Sequence, residues 1–197
     1  MRPGLPCSVT SAACRSSNAR TCPRRRTRAD QDRNRENNTV AQEIRRITEP
    51  DVPAVVALVH ALADYEESAH ECHLTEAQLH RALFAQQPAL FGHVAEADGA
   101  VAGFTLWFLN FSTWHGTHGI YLEDLFVLPA HRGSGLGKQL LRTLAQECVA
   151  RGYSRLEWSV LDWNTPAIEF YESVGAVGMD EWTVHRLTGE ALHDFGG

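Results

Sequence analysis

The stretch His131-Arg132-Gly133-Ser134-Gly135-Leu136-Gly137-Lys138 constrains this chain more than any other. It follows a run of strand character, residues 119–128, and leads into Leu140, Leu141, Leu144 and Ala145 at helical spacing. Glycine costs a helix about 1 kcal/mol against alanine. Glycines at 133, 135 and 137 therefore mark a turn whose backbone must approach something closely. A strand running through such a turn into a helix belongs to an α/β domain. The first N–H groups of a helix are unpaired and lie at the positive end of its dipole, and Arg132 and Lys138 add charge. The turn is thus built for an anion, and a pyrophosphate suits it. A Walker loop does not fit, because three residues separate Gly133 from Gly137 and Gln139 follows Lys138. A Rossmann turn does not fit either, because the pattern is G-x-G-x-G and lies past mid-chain.

The flanking elements read in order. Residues 43–48 form a short strand. Residues 49–66 form a helix with Val52, Val55, Val56 and Val59 on one stripe. A second helix starts at Thr75 as N-cap. Residues 91–111 form two strands around Asp98-Gly99. After the glycine turn, a helix over about 136–151 ends at Gly152. Residues 154–161 read as a strand. Next comes a helix with Thr165 as N-cap, Pro166 at its first position and Gly175 beyond its end. Residues 181–187 read as a last strand.

Charge divides the chain. Residues 1–40 carry nine arginines against three acids, and the chain as a whole is −6, which leaves −12 for residues 41–197. An acidic body favours cationic partners and argues against nucleic acid. The only lysine is Lys138, inside the glycine turn. Residues 1–40 hold few large apolar side chains and read as a disordered Arg-rich tail. A transit peptide, a basic interaction tail and a misplaced start with function beginning near Val40 all fit it. Residues 41–197 read as the domain. No apolar segment reaches membrane-spanning length and no secretory core is visible, so a cytoplasmic protein is expected. The five cysteines give no metal spacing, Cys148 reads as a small core residue, and His70-Glu71-Cys72-His73 lacks ligand spacing, so no metal is expected.

Glu123 and Asp124 sit side by side in an apolar strand, where neighbours normally face opposite sides, so one carboxylate should lie near the core. Tyr171 shares a stripe with Ala167, Phe170 and Val174 and reads on its own as a core tyrosine. Asp64, Glu66, Glu67 and Glu71 read on their own as a solvated face.

Four stretches, Ala63–Glu67, Tyr121–Val127, His131–Lys138 and Asp162–Ala176, in this order resemble the GNAT N-acetyltransferase superfamily, closest to its diamine (spermidine/spermine) branch. The resemblance spans about residues 43–190 and implies the GNAT acyl-CoA N-acyltransferase fold, a mixed, mostly antiparallel sheet flanked by helices. It implies transfer of an acetyl group from acetyl-CoA to a primary amine of a small cationic substrate, in a homodimer. A protein N-acetyltransferase or a non-catalytic acyl-CoA-binding regulatory domain would share the fold. It casts Glu123 as the base, through water, and Tyr171 as the acid that protonates the thiolate. It places coenzyme on Leu125, Phe126, Val127, Arg132, Gly133, Ser134, Gly135, Leu136, Gly137, Lys138 and Asn164. It places the amine on Tyr65, Glu66, Glu123 and Asp162; the last stands where polyamine enzymes more often carry glutamate.

Overall fold

The computed structural model describes residues 42–197. The tail expectations for residues 1–40 lie outside the described residues. Five strands form one sheet in sequence order: β1 (Gln42–Arg46), β2 (Phe91–Ala97), β3 (Ala100–Ser112), β4 (Thr117–Val127) and β5 (Leu156–Glu157). The first three pairings are antiparallel and β4–β5 is parallel. The β2–β3 turn takes the left-handed backbone that an Asp-Gly pair tolerates, with φ 55° at Asp98 and 78° at Gly99.

Helices cover both faces. Helices α1 (Val52–Tyr65) and α2 (Glu76–Phe84) bury Val55, Leu58 and Leu79 against Val94, Phe104, Leu106 and Phe126. The opposite face takes α3 (Leu136–Arg151): Leu141, Leu144 and Cys148 pack on Trp107, Ile120 and Leu122. Both expected helix ends are present. Thr75 Oγ1 accepts the Gln78 N–H at 3.3 Å, and Gly152 closes α3 with φ 67°.

The chain departs from its sequence pattern after β4. The strand expected over 154–161 keeps only two paired residues, Leu156 and Glu157. Helix α4 (Thr165–Ser173) takes Asn164, not Thr165, as its N-cap. Residues 181–187 form no strand, and a short helix α5 (Gly189–Gly196) follows where none was expected. Alternation of apolar residues marks strand potential, but pairing needs a neighbouring edge. Here Trp182 and Val184 remain 69% and 79% exposed.

One ionic knot fixes β1 to the start of α1. The Arg45 guanidinium donates to both Asp51 oxygens at 2.6 and 2.8 Å and also reaches Glu96 on β2. Asp51 further accepts from the Thr48 N–H at 2.8 Å and the Thr48 hydroxyl at 2.7 Å. Arg45 beside it, together with Thr48, holds the Asp51 carboxyl well below the usual carboxylate range, against the cost of its burial. A depressed carboxylate contributes stability above its unfolded pKa and loses it as pH falls through the folded one. Replacing Asp51→Asn should therefore cost about 1–3 kcal/mol at neutral pH. The deficit should shrink on acidification below about pH 4, as read by thermal melts of both proteins across pH.

Candidate active site

The site begins with an irregularity in β4. Leu106 pairs with Asp124 but Trp107 pairs with Leu122, so Glu123 is an extra residue in the strand. Leu122 packs on the α3 face, and Leu125 contacts that same cluster. Regular alternation cannot place two residues three apart on one face. The bulge resolves this, and it keeps both Glu123 and Asp124 out of the apolar contact with α3. The two acids differ in burial. Asp124, paired with Leu106, lies on the α1 side, partly buried, while Glu123 is exposed. Burial, then the neighbouring charges of Glu123 and Glu66, push the Asp124 carboxyl up to about 7.

The same stretch of β4 has a neighbour, β3, on one edge only. β5 pairs only with Ile120 and Tyr121, so beyond Tyr121 the β4 edge next to β5 is unpaired through Leu125, Phe126 and Val127. An extended ligand can add there as a strand. At the end of this edge lies the glycine turn. Gly133 and Gly135 have φ 75° and 92°, a left-handed backbone that other residues enter only with strain. Gly135 is the N-cap of the 16-residue α3. A Cβ at Gly133 would meet nothing within 4 Å, and one at Gly137 would make ordinary contact, so backbone conformation and outside space, not internal crowding, account for these glycines. The Ser134 hydroxyl donates to the His131 carbonyl at 2.6 Å and braces the turn. Leu136 is buried as the first α3 residue, whereas Lys138 is exposed. An open strand edge leading to the N–H groups of a long helix, with Lys138 and Arg132 beside them, fits a pantetheine arm ending in a pyrophosphate.

Contacts among the α1 end, the turn before α4 and the glycine turn bring several aromatic and amide groups together. Tyr65, at the end of α1, donates its hydroxyl to Asn164 Oδ1 at 3.1 Å, and Asn164 is buried at the mouth of α4. The Tyr65 ring lies 6.0 Å from Trp163. Arg132 sits over Tyr65 at 4.7 Å and over Phe126 at 5.4 Å, and its Nε donates to the Val127 carbonyl at 3.1 Å. Arg132 thus bridges the turn and the α1 end instead of pointing freely into solvent. Burial raises the pKa of Glu66, which follows Tyr65. The Tyr171 ring packs on Trp158 at 4.8 Å. Burial, and then the Glu66 charge, raise the pKa of its hydroxyl. Asp162 is exposed in the turn before α4. Trp163 and the Arg132–Tyr65 stack are not foreseeable from the sequence, since contacts between segments far apart in the chain leave no local pattern. The Leu-Glu-Asp-Leu spacing does carry a signal for the bulge. Among the described residues no three His, Cys, Asp or Glu side chains gather as metal ligands, and no helix is long and apolar enough to cross a membrane.

Residues 55–176 match the acetyltransferase (GNAT) family. The chain belongs to that family. It is 33% identical over 165 residues to the thialysine N-ε-acetyltransferase of Bos taurus, covering 78% of this chain and 96% of that protein. It is 46% identical over 95 residues to the L-ornithine N5-acetyltransferase of Arabidopsis thaliana, covering 48% of this chain and 42% of that one. Among solved structures, an integron cassette protein from the mobile metagenome of V. cholerae superposes with a TM-score of 0.67 at 26% identity, over 79% of this chain and 97% of its own. The architecture is the GNAT fold, an α/β arrangement with a five-stranded mixed sheet between helices, and the protein is an acyltransferase using acetyl-CoA.

Substitution at the GNAT turn separates coenzyme binding from acceptor choice. Gly135→Val should weaken coenzyme A binding by several kcal/mol, at about 1.5–3 kcal/mol for each charge-assisted hydrogen bond removed, while the ranking of amine acceptors stays the same. Calorimetric titration with coenzyme A reads the first effect and initial rates with competing amines the second. Unchanged binding would remove the pyrophosphate from this turn.

Proposed function

We propose that this enzyme acetylates the primary amine of a small cationic substrate, a polyamine, a diamine or a basic amino acid analogue such as thialysine or ornithine. The observation that carries the reading is the carboxylate pair of the bulge, placed where β4 has an unpaired edge. An ammonium is attracted by Glu66, Glu123 and Asp124, and the amine next to a strand-bound thioester is positioned for attack. The relatives' named substrates, thialysine and ornithine, are cations of this kind.

In this reading Leu125, Phe126 and Val127 hydrogen-bond the pantetheine arm, and a backbone N–H there polarises the carbonyl. Arg132, Gly133, Ser134, Gly135, Leu136, Gly137 and Lys138 hold the pyrophosphate, and Asn164 touches the coenzyme. Acetyl-CoA supplies an activated acyl group. Glu123 takes the amine proton out through water, and Tyr171 protonates the departing thiolate. Tyr65, Glu66 and Asp162 receive the rest of the cation. A homodimer belongs to the same reading, supported by the diamine-branch resemblance, and so does a cytoplasmic location, in keeping with the lack of a secretory apolar core in the sequence.

Free-thiol release from acetyl-CoA against a panel of polyamines, diamines, basic amino acids and peptide N-termini tests this reading. Turnover with the small cations supports it; coenzyme binding without turnover would favour a sensor, and turnover only with peptides a protein acetyltransferase. Tyr171→Phe keeps the ring against Trp158 and removes only the hydroxyl. We expect kcat to fall by roughly 10²–10⁴ while coenzyme binding persists and the melting temperature hardly moves. Full activity with a lowered melting temperature would make Tyr171 a packing residue only.

A further inference from the structure

The sheet face that holds Asp124 continues past the cover of its helices. On β3 the apolar contact of α1 and α2 with this face reaches Leu106. Beyond it, Phe108 and Tyr121 are half-buried with their rings stacked at 5.1 Å, and the Tyr121 hydroxyl shares a hydrogen bond of 2.9 Å with Ser159. Next along the same face come Asn110, Gly119, Arg155 and Glu157. A Cβ at Gly119 would lie 2.6 Å from both the Arg155 stem and Asn110 Oδ1. The glycine is therefore what lets these two side chains meet over β4. We propose that Arg155 seats the carboxylate of an amino acid acceptor, so that the site takes basic amino acids in preference to diamines and polyamines. The inference rests on the acetyl-transfer reading above.

Arg155 is held in place without being used up. Its Nε lies 2.8 Å from Glu157 Oε2, the oxygen that also accepts from Asn110 Nδ2 at 2.6 Å. The contact is an ion pair only, since Arg155 Nε and Asn110 Oδ1 both stay buried without a hydrogen-bond partner among the described residues. A cluster built for stability alone would satisfy such atoms. The terminal nitrogens of Arg155 make no hydrogen bond within the described residues, and its side chain is 36% exposed. A guanidinium fixed at Nε offers those nitrogens as a planar fork, which grips a carboxylate through two parallel hydrogen bonds. Arg132 cannot serve in its place, being engaged by the Val127 carbonyl and the rings of Tyr65 and Phe126. The spacing along β4 suits such an acceptor. From Asp124 the rungs run through Leu122, Tyr121 and Ile120 to Gly119. At about 3.3 Å per rung, Tyr121 is about 7 Å away and Gly119 about 13 Å. Glu157 pairs with Tyr121, so the cluster occupies this interval. An extended ornithine or lysine carries its carboxylate about 6–8 Å from its side-chain amine, and one hydrogen bond adds about 3 Å. With the carboxylate on Arg155, the side-chain amine reaches the bulge. The α-amine, beside the carboxylate, does not, so acetylation falls on the side-chain nitrogen.

Acceptors that differ only by the carboxylate test the assignment: ornithine against putrescine, and lysine against cadaverine, each followed by free-thiol release from acetyl-CoA. The parent should show the higher kcat/KM for the amino acid of each pair, and mass spectrometry of the product should find the acetyl group on the side-chain nitrogen. Arg155→Met should raise KM for ornithine and lysine by roughly 10–100-fold, with kcat and the diamine kinetics little changed. Arg155→Lys keeps the charge without the fork and should fall between parent and Arg155→Met. A folding defect lowers both members of a pair alike, so the ratio within a pair isolates the carboxylate contact. If Arg155→Met does not fold, Arg155→Lys decides by the same ratio. A parent that prefers putrescine to ornithine would overturn the proposal, and so would a ratio that the Arg155 variants leave unchanged. If the parent itself releases no thiol with any amine, the proposed function falls and this subsite with it; that outcome is seen in the parent alone, before any variant is compared.

Discussion

One surplus residue in β4 organises this molecule. Leu122 and Leu125 must both reach the α3 side, and the strand can satisfy them only by accommodating Glu123 as a bulge. The alternative, a regular strand, would press a carboxylate into the contact between the sheet and α3, at a cost of several kcal/mol. Apolar packing and carboxylate solvation therefore enforce the same distortion. Where β4 bends, its pairing with β5 stops at Tyr121, and the edge that opens runs straight to the glycine turn. Carboxylates, open edge and helix terminus follow from a single local decision of the chain.

Electrostatics then divides the site in two. Toward the turn, Lys138, Arg132 and the α3 N-terminus gather positive charge. Glu66 at the end of α1 and Glu123 and Asp124 of β4 carry the acidic side chains. Arg132 stands at the boundary, stacked over Tyr65 and bonded to the last carbonyl of β4. Tyr65 in turn holds Asn164 at the mouth of α4. A short chain of contacts, Asn164–Tyr65–Arg132–Val127, links the mouth of α4, the end of α1 and the end of β4.

Much of this is legible in the sequence because it is local. The Thr75 cap, the Asp98-Gly99 hairpin, the glycine turn and the Gly152 stop are each decided by residues within one turn of chain, and each stands where the pattern puts it. The failures are non-local. The run 181–187 has the apolar alternation of a strand, yet no sheet edge receives it among the described residues. The segment around Leu156 has the composition for eight residues of strand, but the divergence of β4 leaves it two. Glu123-Asp124 stands out as a pair, but the bulge there is set by packing of Leu122 and Leu125 on α3, which the two acids do not announce. The stacking of Arg132 over Tyr65 is likewise out of reach of the sequence, because it joins segments far apart in the chain.

The glycine turn also holds the protein's single lysine, and Lys138 is exposed there. An enzyme that makes amides thus carries one side-chain amine of its own, so accidental self-modification by a thioester is confined to one side chain and the chain's α-amine. The same scarcity makes Lys138 a natural handle for bioconjugation. An amine-selective reagent meets it on the exposed first turn of α3 and would mark that turn alone among the side chains.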